Sequence, residues 1–354
     1  MTRTFTRLAT HAAIAGLAAG AAMADGSDLT VFDWSGYEDP GFYGNYVETY
    51  GEGPSYSYFG DEDEAFAKLQ SGFSADLSHP CSYVTQKWAD AGLLQPIDTS
   101  RLDYWDDLLP GISSVDGIDF GGETWMVPFD WGNTGLIYRS DEFSSEEVSL
   151  QMLTDPAYKN KISLPGGALE AVTLGVLATG AQDSYPDLSE EEFQAVLDFL
   201  RDVHENVRFY WSDATQLDQA LASGEVLMGW GWNQTEVNLI SNGVPAEMMR
   251  DVEKGVVSWV CGYVHMQDSD VPDEQVYDML NALTAPESGK YIIESWGYAH
   301  SNARAFDMAD PELVEAYGYS DPDTFFAGSL FGVPLDPALE RRLREEYERI
   351  KSGF

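Results

Sequence analysis

The sequence predicts an α/β protein of two lobes, each built on a mostly parallel β-sheet flanked by helices. Two observations lead to this prediction. Short apolar segments typical of strands alternate along the chain with segments of helical periodicity, an order typical of parallel sheets covered by helices. The chain has 354 residues, whereas a single hydrophobic core stops growing at about 250–300 residues. We therefore expect two cores.

The first third of the chain supplies three predicted strands. Leu29–Asp33 and Tyr56–Phe59 are apolar segments that each precede a predicted helix, and Asp76–Ser78 is a short strand that ends at a His-Pro pair. Helices are expected around 40–50 and after the acidic segment 61–64, because carboxylates favour helix N-termini. In folds of this kind, ligands bind beyond the carboxyl ends of the strands.

The same alternation restarts at Gly135 and continues through the second half. The apolar segment Val256–Met266 is long enough to pass from one lobe to the other, so we expect the lobes to be interleaved in sequence. Further strands are predicted at 136–138, 207–210 and 225–230, and helices at 170–179, 190–203, 215–222, 273–284 and 289–295. The predicted first lobe consists of 25–134 and 259–305, and the second of 135–258 and 306–354.

Residues 1–24 have the pattern of a secretory signal peptide. Arg3 and Arg7 form a positive N-terminal region, an apolar run follows, and Ala22-Met23-Ala24 matches the small-x-small cleavage pattern. The apolar run is shorter than the roughly 20 residues that span a bilayer. We predict export and cleavage after Ala24.

The composition excludes some partners. The formal net charge is −41, from 60 acidic and 19 basic residues. Such a charge repels nucleic acids and anionic lipids. An equally simple explanation of the charge is solubility, so it does not identify a ligand.

The sequence offers no sign of catalysis, of a bound metal or of a cofactor. Metal-ligand spacings, phosphate-binding loops and dinucleotide-binding motifs do not occur in it. Four histidines follow the predicted signal, and we expect each to be an ordinary surface or packing residue: His79, His204, His265 and His300.

Seven short segments occur in the order in which one known family has them. They are Trp34–Tyr37, Ala67–Leu69, Gly92–Asp98, Val127–Gly135, Asn206–Tyr210, Gly224–Trp230 and Gly297-Tyr298. With these segments the chain resembles the spermidine/putrescine-binding proteins of bacterial polyamine ABC importers. The resemblance implies a type II periplasmic binding fold with a ligand cleft between the lobes. It also implies a monomeric periplasmic carrier that binds a small cationic amine and passes it to the membrane permease of an ABC importer.

The resemblance further implies which residues bind the ligand. A polyamine needs aromatic walls for its methylene chain and carboxylates for its ammonium groups. The implied walls are Trp34, Tyr37, Tyr83, Trp230, Trp259 and Tyr298, with Trp232 as a further candidate, and Glu170 is the implied carboxylate. For each aromatic residue the alternative is core packing. Glu170 has the alternative of a helix-start acid.

Three positions depart from the family in the same direction. Gly36, Asn233 and Cys261 stand where members of the family carry acids. Each replacement removes a charged partner worth about 1.5–3 kcal/mol to an ammonium group. A ligand with fewer charges therefore remains an alternative: a monoamine, a modified polyamine, a quaternary amine or an amino acid.

One further expectation concerns the two cysteines. The resemblance places both Cys81 and Cys261 at the cleft, and in an exported protein this proximity favours a disulfide between them. The alternative is two buried free thiols that act as small apolar residues.

Two other classes of protein fit the sequence less well. A secreted enzyme would need a nucleophile with its base or a metal cluster, and the sequence shows neither. A purely structural exported protein would leave the ordered aromatic segments unexplained.

Overall fold

The computed structural model describes residues 27–249, 256–321 and 329–354. The predicted signal peptide, residues 1–24, lies outside these residues. The strands are β1 Thr30–Trp34, β2 Ser55–Phe59, β3 Leu77–Ser78, β4 Leu94–Gln95, β5 Asp119–Phe120, β6 Glu123–Thr124, β7 Val127–Tyr138, β8 Ile162–Pro165, β9 Val207–Trp211, β10 Met228–Trp232, β11 Glu247–Met249, β12 Val256–Met266, β13 Ala299–His300 and β14 Ser329–Phe331.

The α-helices are α1 Gly44–Tyr50, α2 Glu62–Gln70, α3 Ser82–Asp90, α4 Ala168–Thr179, α5 Glu190–His204, α6 Ala214–Ser223, α7 Asn233–Ser241, α8 Asp273–Thr284, α9 Pro286–Trp296, α10 Arg304–Met308, α11 Pro311–Ala316 and α12 Pro337–Lys351. Short 3₁₀ helices occupy Pro40–Phe42, Thr99–Arg101, Trp105–Asp107, Ile112–Ser114, Leu150–Thr154 and Pro156–Tyr158. In the described part of the chain, no helix combines the length and apolar character that crossing a membrane requires.

Two long antiparallel strands, β7 and β12, connect the lobes. The C-terminal end of β12 pairs with β3 and β4, whereas the rest of the strand pairs with β7 and, at its start, with β14. The C-terminal end of β7 pairs with β10 and β11. The sheet order is β2-β1-β3-β12-β7-β10-β8-β9. The predicted strand Val256–Met266 is confirmed, and its pairing along adjacent strands supports the proposal that the chain passes between the lobes there.

Each lobe contains the parallel strands that the alternation of strands and helices predicts. In the first lobe β1 pairs in parallel with β2 and β3, and in the second β8 pairs in parallel with β9 and β10. The carboxyl ends of these strands carry aromatic residues, among them Trp34 on β1 and Trp232 on β10. This edge is where the cleft forms.

Several predicted elements differ from the structure in extent. The helix expected at 40–50 is a 3₁₀ turn followed by α1, because Tyr43 leaves the helical backbone conformation between them. The strand expected at 225–230 begins and ends later, at Met228–Trp232, after a turn at Gly224. Helix α5 runs one residue past the prediction, and its start is fixed by a capping box between Ser189 and Glu192.

Among the residues that the structure describes, four buried clusters form the cores, two in each lobe. Ala309 and Tyr319 belong to the first-lobe clusters, further along the chain than the boundary at 305 that the sequence predicted. Leu343 and Tyr347 on α12 belong to the second-lobe core. We propose that the chain returns to the second lobe only after Tyr319.

The lobes contact each other through a cluster of ion pairs. Lys87 on α3 lies 2.8 Å from the Glu340 carboxylate on α12 and 3.6 Å from that of Asp63 on α2. Arg344 on α12 pairs with Asp63 at 3.0 Å and also with Glu340. The four side chains, which we call the interlobe ion cluster, join two first-lobe helices to a second-lobe helix.

Candidate functional site

A cavity of about 250 Å³ lies between the lobes, beyond the carboxyl ends of the parallel strands. It is smaller than the 300–1,000 Å³ typical of drug-sized ligand pockets, so it suits a small solute. Of the residues predicted for the site, these line it: Trp34, Tyr37, Tyr83, Glu170, Trp259, Cys261 and Tyr298.

Trp34 and Trp232 face each other across the cleft. Their rings meet edge to face with centroids 5.8 Å apart, one from each lobe. The Trp34 indole N–H donates to the carbonyl of His79 at 2.8 Å, which fixes the ring's orientation. Because both residues end their strands, their side chains reach past the sheet into the cavity.

Trp259 and Tyr298 form a second aromatic pair. Their rings meet edge to face with centroids 4.8 Å apart. The Trp259 ring lies over Gly132, where a Cβ atom would be only 2.6 Å from it, so glycine makes room for the indole. The indole nitrogen of Trp259 is shielded from solvent and has no hydrogen-bond partner among the described residues. The Trp259 ring is therefore held between Tyr298 and Gly132 at this wall of the cavity.

Tyr37 lines the cavity and rests on a buried charged network. Its hydroxyl donates to Asp130, and the ring nitrogens of His79 bridge Asp33 at 2.8 Å and Asp130 at 3.2 Å. Tyr263 donates to Asp33 at 2.9 Å.

The electrostatics of this network favour the charged form of His79, although burial also raises the pKa of Asp33. Burial lowers the pKa of His79, but the charges and hydrogen bonds of Asp33 and Asp130 outweigh that effect and raise the pKa to about 9. His79 is therefore an ion-paired residue, which corrects the prediction that it is an ordinary packing histidine. The residues next to His79 in the sequence do not indicate this ion pairing, because Asp33 and Asp130 lie far from it along the chain.

Glu170 on α4 is the carboxylate that the sequence predicted. It is largely buried, and burial together with the nearby charges of Glu62 and Asp61 raises its pKa well above the usual range. A hydrogen bond from Trp232 acts in the opposite direction. No described cation pairs with Glu170. A positively charged ligand could therefore supply the missing partner.

Tyr83 connects the cavity to a second buried acid. Its hydroxyl donates to Glu62 at 3.0 Å, and the Cys81 amide also donates to that carboxylate. Burial raises the pKa of Glu62 to about 7. Glu62 is thus occupied by protein donors and serves to hold Tyr83 in place.

Sequence reasoning missed two acids that line the cavity. Asp213 precedes α6 and accepts from the Thr215 amide at 2.8 Å as the helix cap. Asp218 lies one turn further along α6 and accepts from Asn238 at 2.8 Å. Neither occurs in a segment that carries the resemblance. Among the described residues that line the cavity there are three carboxylates and no lysine, arginine or histidine.

Trp230 does not line the cavity. It is 1% exposed and packs in the second-lobe core, and its indole donates to the backbone carbonyl of Glu170 at 3.2 Å. This corrects the prediction of Trp230 as a wall in favour of the packing alternative. The physical reason is position along β10: Trp230 stands two residues before the end of the strand, between β7 and β8, whereas Trp232 stands at the end.

The three positions where the family carries acids have other roles here. Gly36 has φ of +105° and its Cβ position lies 2.9 Å from Trp296, so a side chain would be strained and crowded. Asn233 is buried and bonds to the Asn133 amide and the Gly297 carbonyl. None of the three contributes a charge.

The structure joins Cys81 and Cys261 in a disulfide at the edge of the cavity. Their Cα atoms are 3.7 Å apart, closer than the about 4.4–6.8 Å usual for a bridge. Cys261 lies at the irregularity in the pairing of β12 with β7, and Cys81 precedes α3. The disulfide therefore ties the first lobe to a strand that connects both lobes.

A first prediction distinguishes a tryptophan that contacts the ligand from one that packs in the hydrophobic core. Trp259→Ala should weaken ligand binding by about 1–2 kcal/mol, because it removes a ring face that attracts cations, and should leave folding largely intact. Trp230→Ala, the matched control, should chiefly lower the free energy of unfolding. Calorimetric titration and urea unfolding of both variants test this. Unfolding of Trp259→Ala under native conditions would show that Trp259 is a core residue.

The fold and the cavity together define a two-lobed binding protein that encloses a small solute between its lobes. The sequence pattern of the bacterial extracellular solute-binding proteins matches residues 55–318. The chain belongs to this family of transport proteins.

Comparisons with individual proteins agree. The chain is 26% identical to the spermidine/putrescine-binding periplasmic protein of Salmonella typhimurium over 349 residues, 95% of this chain and 96% of that one. It is 28% identical to the putrescine-binding periplasmic protein SpuD of Pseudomonas aeruginosa over 356 residues, 96% of each chain. A putative spermidine/putrescine ABC transporter structure from Listeria monocytogenes superimposes with a TM-score of 0.80 at 22% identity, covering 92% of this chain and 99% of that one. These comparisons confirm the type II periplasmic binding fold.

Proposed function

We propose that this protein captures a polyamine between its lobes in the periplasm and delivers it to the membrane permease of an ABC importer. The observation that carries the proposal is the lining of the cavity: aromatic rings and three carboxylates, with no basic side chain among the described residues. Aromatic faces and carboxylates are the groups that bind ammonium ions. The names of the relatives from Salmonella and Pseudomonas support the same ligand class.

The lining also argues against the less charged alternatives that carry an acid group. The carboxylate of an amino acid would meet Glu170, Asp213 and Asp218 without a described lysine or arginine to pair with. Such a contact is repulsive. A monoamine or quaternary amine meets no such repulsion and remains the second candidate.

A ligand screen tests the proposal. Putrescine, spermidine, butylamine, choline, glycine and glucose would be added to the protein at increasing concentrations while thermal unfolding is followed. A ligand at ~100 times its dissociation constant adds about 2.7 kcal/mol to the stability. We expect the diamine and triamine to stabilise the protein saturably without being consumed. Stabilisation by glycine or glucose alone, or turnover of any ligand, would refute the proposal.

A second prediction concerns pH. Burial raises the pKa of Glu170, and an ammonium ligand beside it would favour the charged form and so lower that pKa again. Binding should therefore release a proton, and affinity should rise with pH through the raised pKa until the ligand amine itself loses its proton. Calorimetric titrations in buffers of different ionisation enthalpy measure the number of protons that binding releases.

Glu170→Gln is the matched test of this linkage. The variant should bind the diamine about tenfold or more weakly, since a charged hydrogen bond contributes about 1.5–3 kcal/mol, and its binding should release no proton. Glu225→Gln, at the exposed ion pair with Arg208, is the control. Unchanged affinity and proton release in Glu170→Gln would remove Glu170 from the site.

A further inference from the structure

Asp130 is a buried carboxylate that is connected to the cavity by Tyr37. Asp130 is fully buried on β7 and does not itself line the cavity, whereas Tyr37 does. The Tyr37 hydroxyl donates to the Oδ2 atom of Asp130. The other carboxylate oxygen, Oδ1, lies 3.2 Å from the Nε2 atom of His79. Asp130 therefore joins a residue of the cavity wall to the buried charged network.

The direction of these hydrogen bonds follows from the groups that make them. Each ring nitrogen of His79 faces a carboxylate oxygen, Nδ1 that of Asp33 at 2.8 Å and Nε2 that of Asp130. An ionised carboxylate only accepts hydrogen bonds, so both nitrogens donate and the ring is positively charged. Asp130 accepts from Tyr37 in the same way. The hydroxyl proton of Tyr37 is therefore directed at the buried carboxylate.

The Tyr37 ring is held in this orientation by aromatic neighbours. It stacks on Phe42 with centroids 5.5 Å apart and meets Trp296 edge to face at 4.8 Å. His79 packs edge to face on the same ring at 4.7 Å. Turning the hydroxyl away from Asp130 would disrupt this packing.

A tyrosine in this arrangement favours cations. Its single proton is used by Asp130, so towards a ligand its oxygen can only accept a hydrogen bond. Hydrogen bonds in a chain polarise one another, and donation to a carboxylate makes the oxygen and the ring more negative. A more negative ring attracts cations more strongly. Burial, followed by the charge of Asp130, raises the pKa of Tyr37 well above its usual value, so the hydroxyl keeps its proton.

We propose that Asp130 is a positioning residue for cation binding: it orients and polarises Tyr37, so that Tyr37 attracts a cation and has no proton to donate to an anion. This inference rests on the proposed function, because it requires an amine in the cavity. It goes beyond that proposal by assigning part of the preference for cations to a residue that does not touch the ligand.

A double-mutant cycle of Asp130→Asn and Tyr37→Phe tests the inference, with putrescine and spermidine as ligands in calorimetric titrations. Asparagine keeps the size of the side chain and removes its charge, and phenylalanine removes the hydroxyl. Each single variant should bind both amines about three- to tenfold more weakly, as expected for a weakened cation–aromatic contact. In the Tyr37→Phe background, Asp130→Asn should add less than about a twofold loss, because the hydroxyl that transmits its effect is missing.

Asp76→Asn is the matched control, since Asp76 is also a buried carboxylate of the first lobe. It accepts from the Thr30 amide at 2.7 Å and from the Ser269 hydroxyl at 2.9 Å, and neither residue lines the cavity. The control should change the affinity for either amine by less than about twofold, because Asp76 shares no partner with the site. Thermal unfolding of each variant without ligand verifies folding, and Tyr37→Phe alone provides the test should Asp130→Asn be unstable.

Three outcomes would overturn the inference. Equal weakening by Asp130→Asn with and without the Tyr37 hydroxyl would show that the charge acts as a field and not through Tyr37. Equal weakening in Asp76→Asn would indicate a general effect of neutralising a buried carboxylate. Unchanged affinity in Tyr37→Phe would remove the hydroxyl from ligand binding. Each of these results would leave the proposed function intact, whereas wild-type protein that bound neither amine would refute both proposals.

Discussion

Replacing Cys81 and Cys261 together by alanine is expected to lower the free energy of unfolding by about 5 kcal/mol. The disulfide closes a loop of 180 residues, and in the chain-entropy account the stabilisation grows with loop length, reaching about 4.7 kcal/mol for 100 residues. The unfolded chain loses that restraint in the variant. Urea unfolding of the oxidised wild-type protein and the double variant measures the difference.

Reduction provides an independent comparison. Dithiothreitol should lower the stability of the wild-type protein towards that of the double variant and should leave the double variant unchanged. Because the disulfide also lines the cavity, ligand affinity should be measured on the same samples. Equal unfolding midpoints for oxidised and reduced wild-type protein would show that the bridge contributes nothing to stability.

Replacing His79 by leucine is expected to cost about 3–5 kcal/mol in the free energy of unfolding, because it leaves Asp33 and Asp130 buried without their cation. His300 is the contrasting buried histidine. Its Nε2 atom faces the Leu283 carbonyl, and burial lowers its pKa to about 4, so it is neutral in the folded protein. Replacing His300 removes no charge, and His300→Leu therefore controls for the loss of a buried ring.

The pH dependence gives a second measurement of the same group. The pKa of His79 is about 9 in the folded protein and about 6.5 in an unfolded chain. The stability that the protonated ring contributes is therefore fully present below about pH 6.5 and is lost as pH rises through about 9. Urea unfolding between pH 6 and 9.5 should show this loss in the wild-type protein and not in His79→Leu. A flat profile for the wild-type protein would mean that His79 is neutral.

The fold could be predicted largely because its determinants are local. Apolar segments and helix caps are read within a few residues, which is why α8 has the predicted bounds, Asp273–Thr284, and β12 was expected as a strand that connects the lobes. The boundary between the lobes was harder to predict from the sequence. Tyr319 packs in the first lobe through tertiary contacts that leave no periodic signal in the sequence around it.

The site residues could be predicted where a motif of the resembled family contains them, although a motif does not show which of its residues reaches the cavity. Trp34 and Trp259 came from motifs and line the cavity, whereas Trp230 came from a motif and packs in the core. The motif identified the strand but not which of its residues reaches the cavity, and the further candidate Trp232, at the carboxyl end of β10, is the one that does. Asp218 could not be found in this way, because its relation to the cavity depends on how α6 packs on β10.

The interlobe ion cluster has a consequence for the time course of transport. Lys87 and Arg344 pair with carboxylates of the opposite lobe, so a cleft opening that moves these helices apart would have to break both pairs, and release of an enclosed solute would be slower. Lys87, Asp63 and Arg344 are partly exposed, whereas Glu340 is buried, and dissolved salt therefore weakens chiefly the exposed pairs. At low ionic strength the protein would release its bound solute slowly, and at high ionic strength it would release the solute faster.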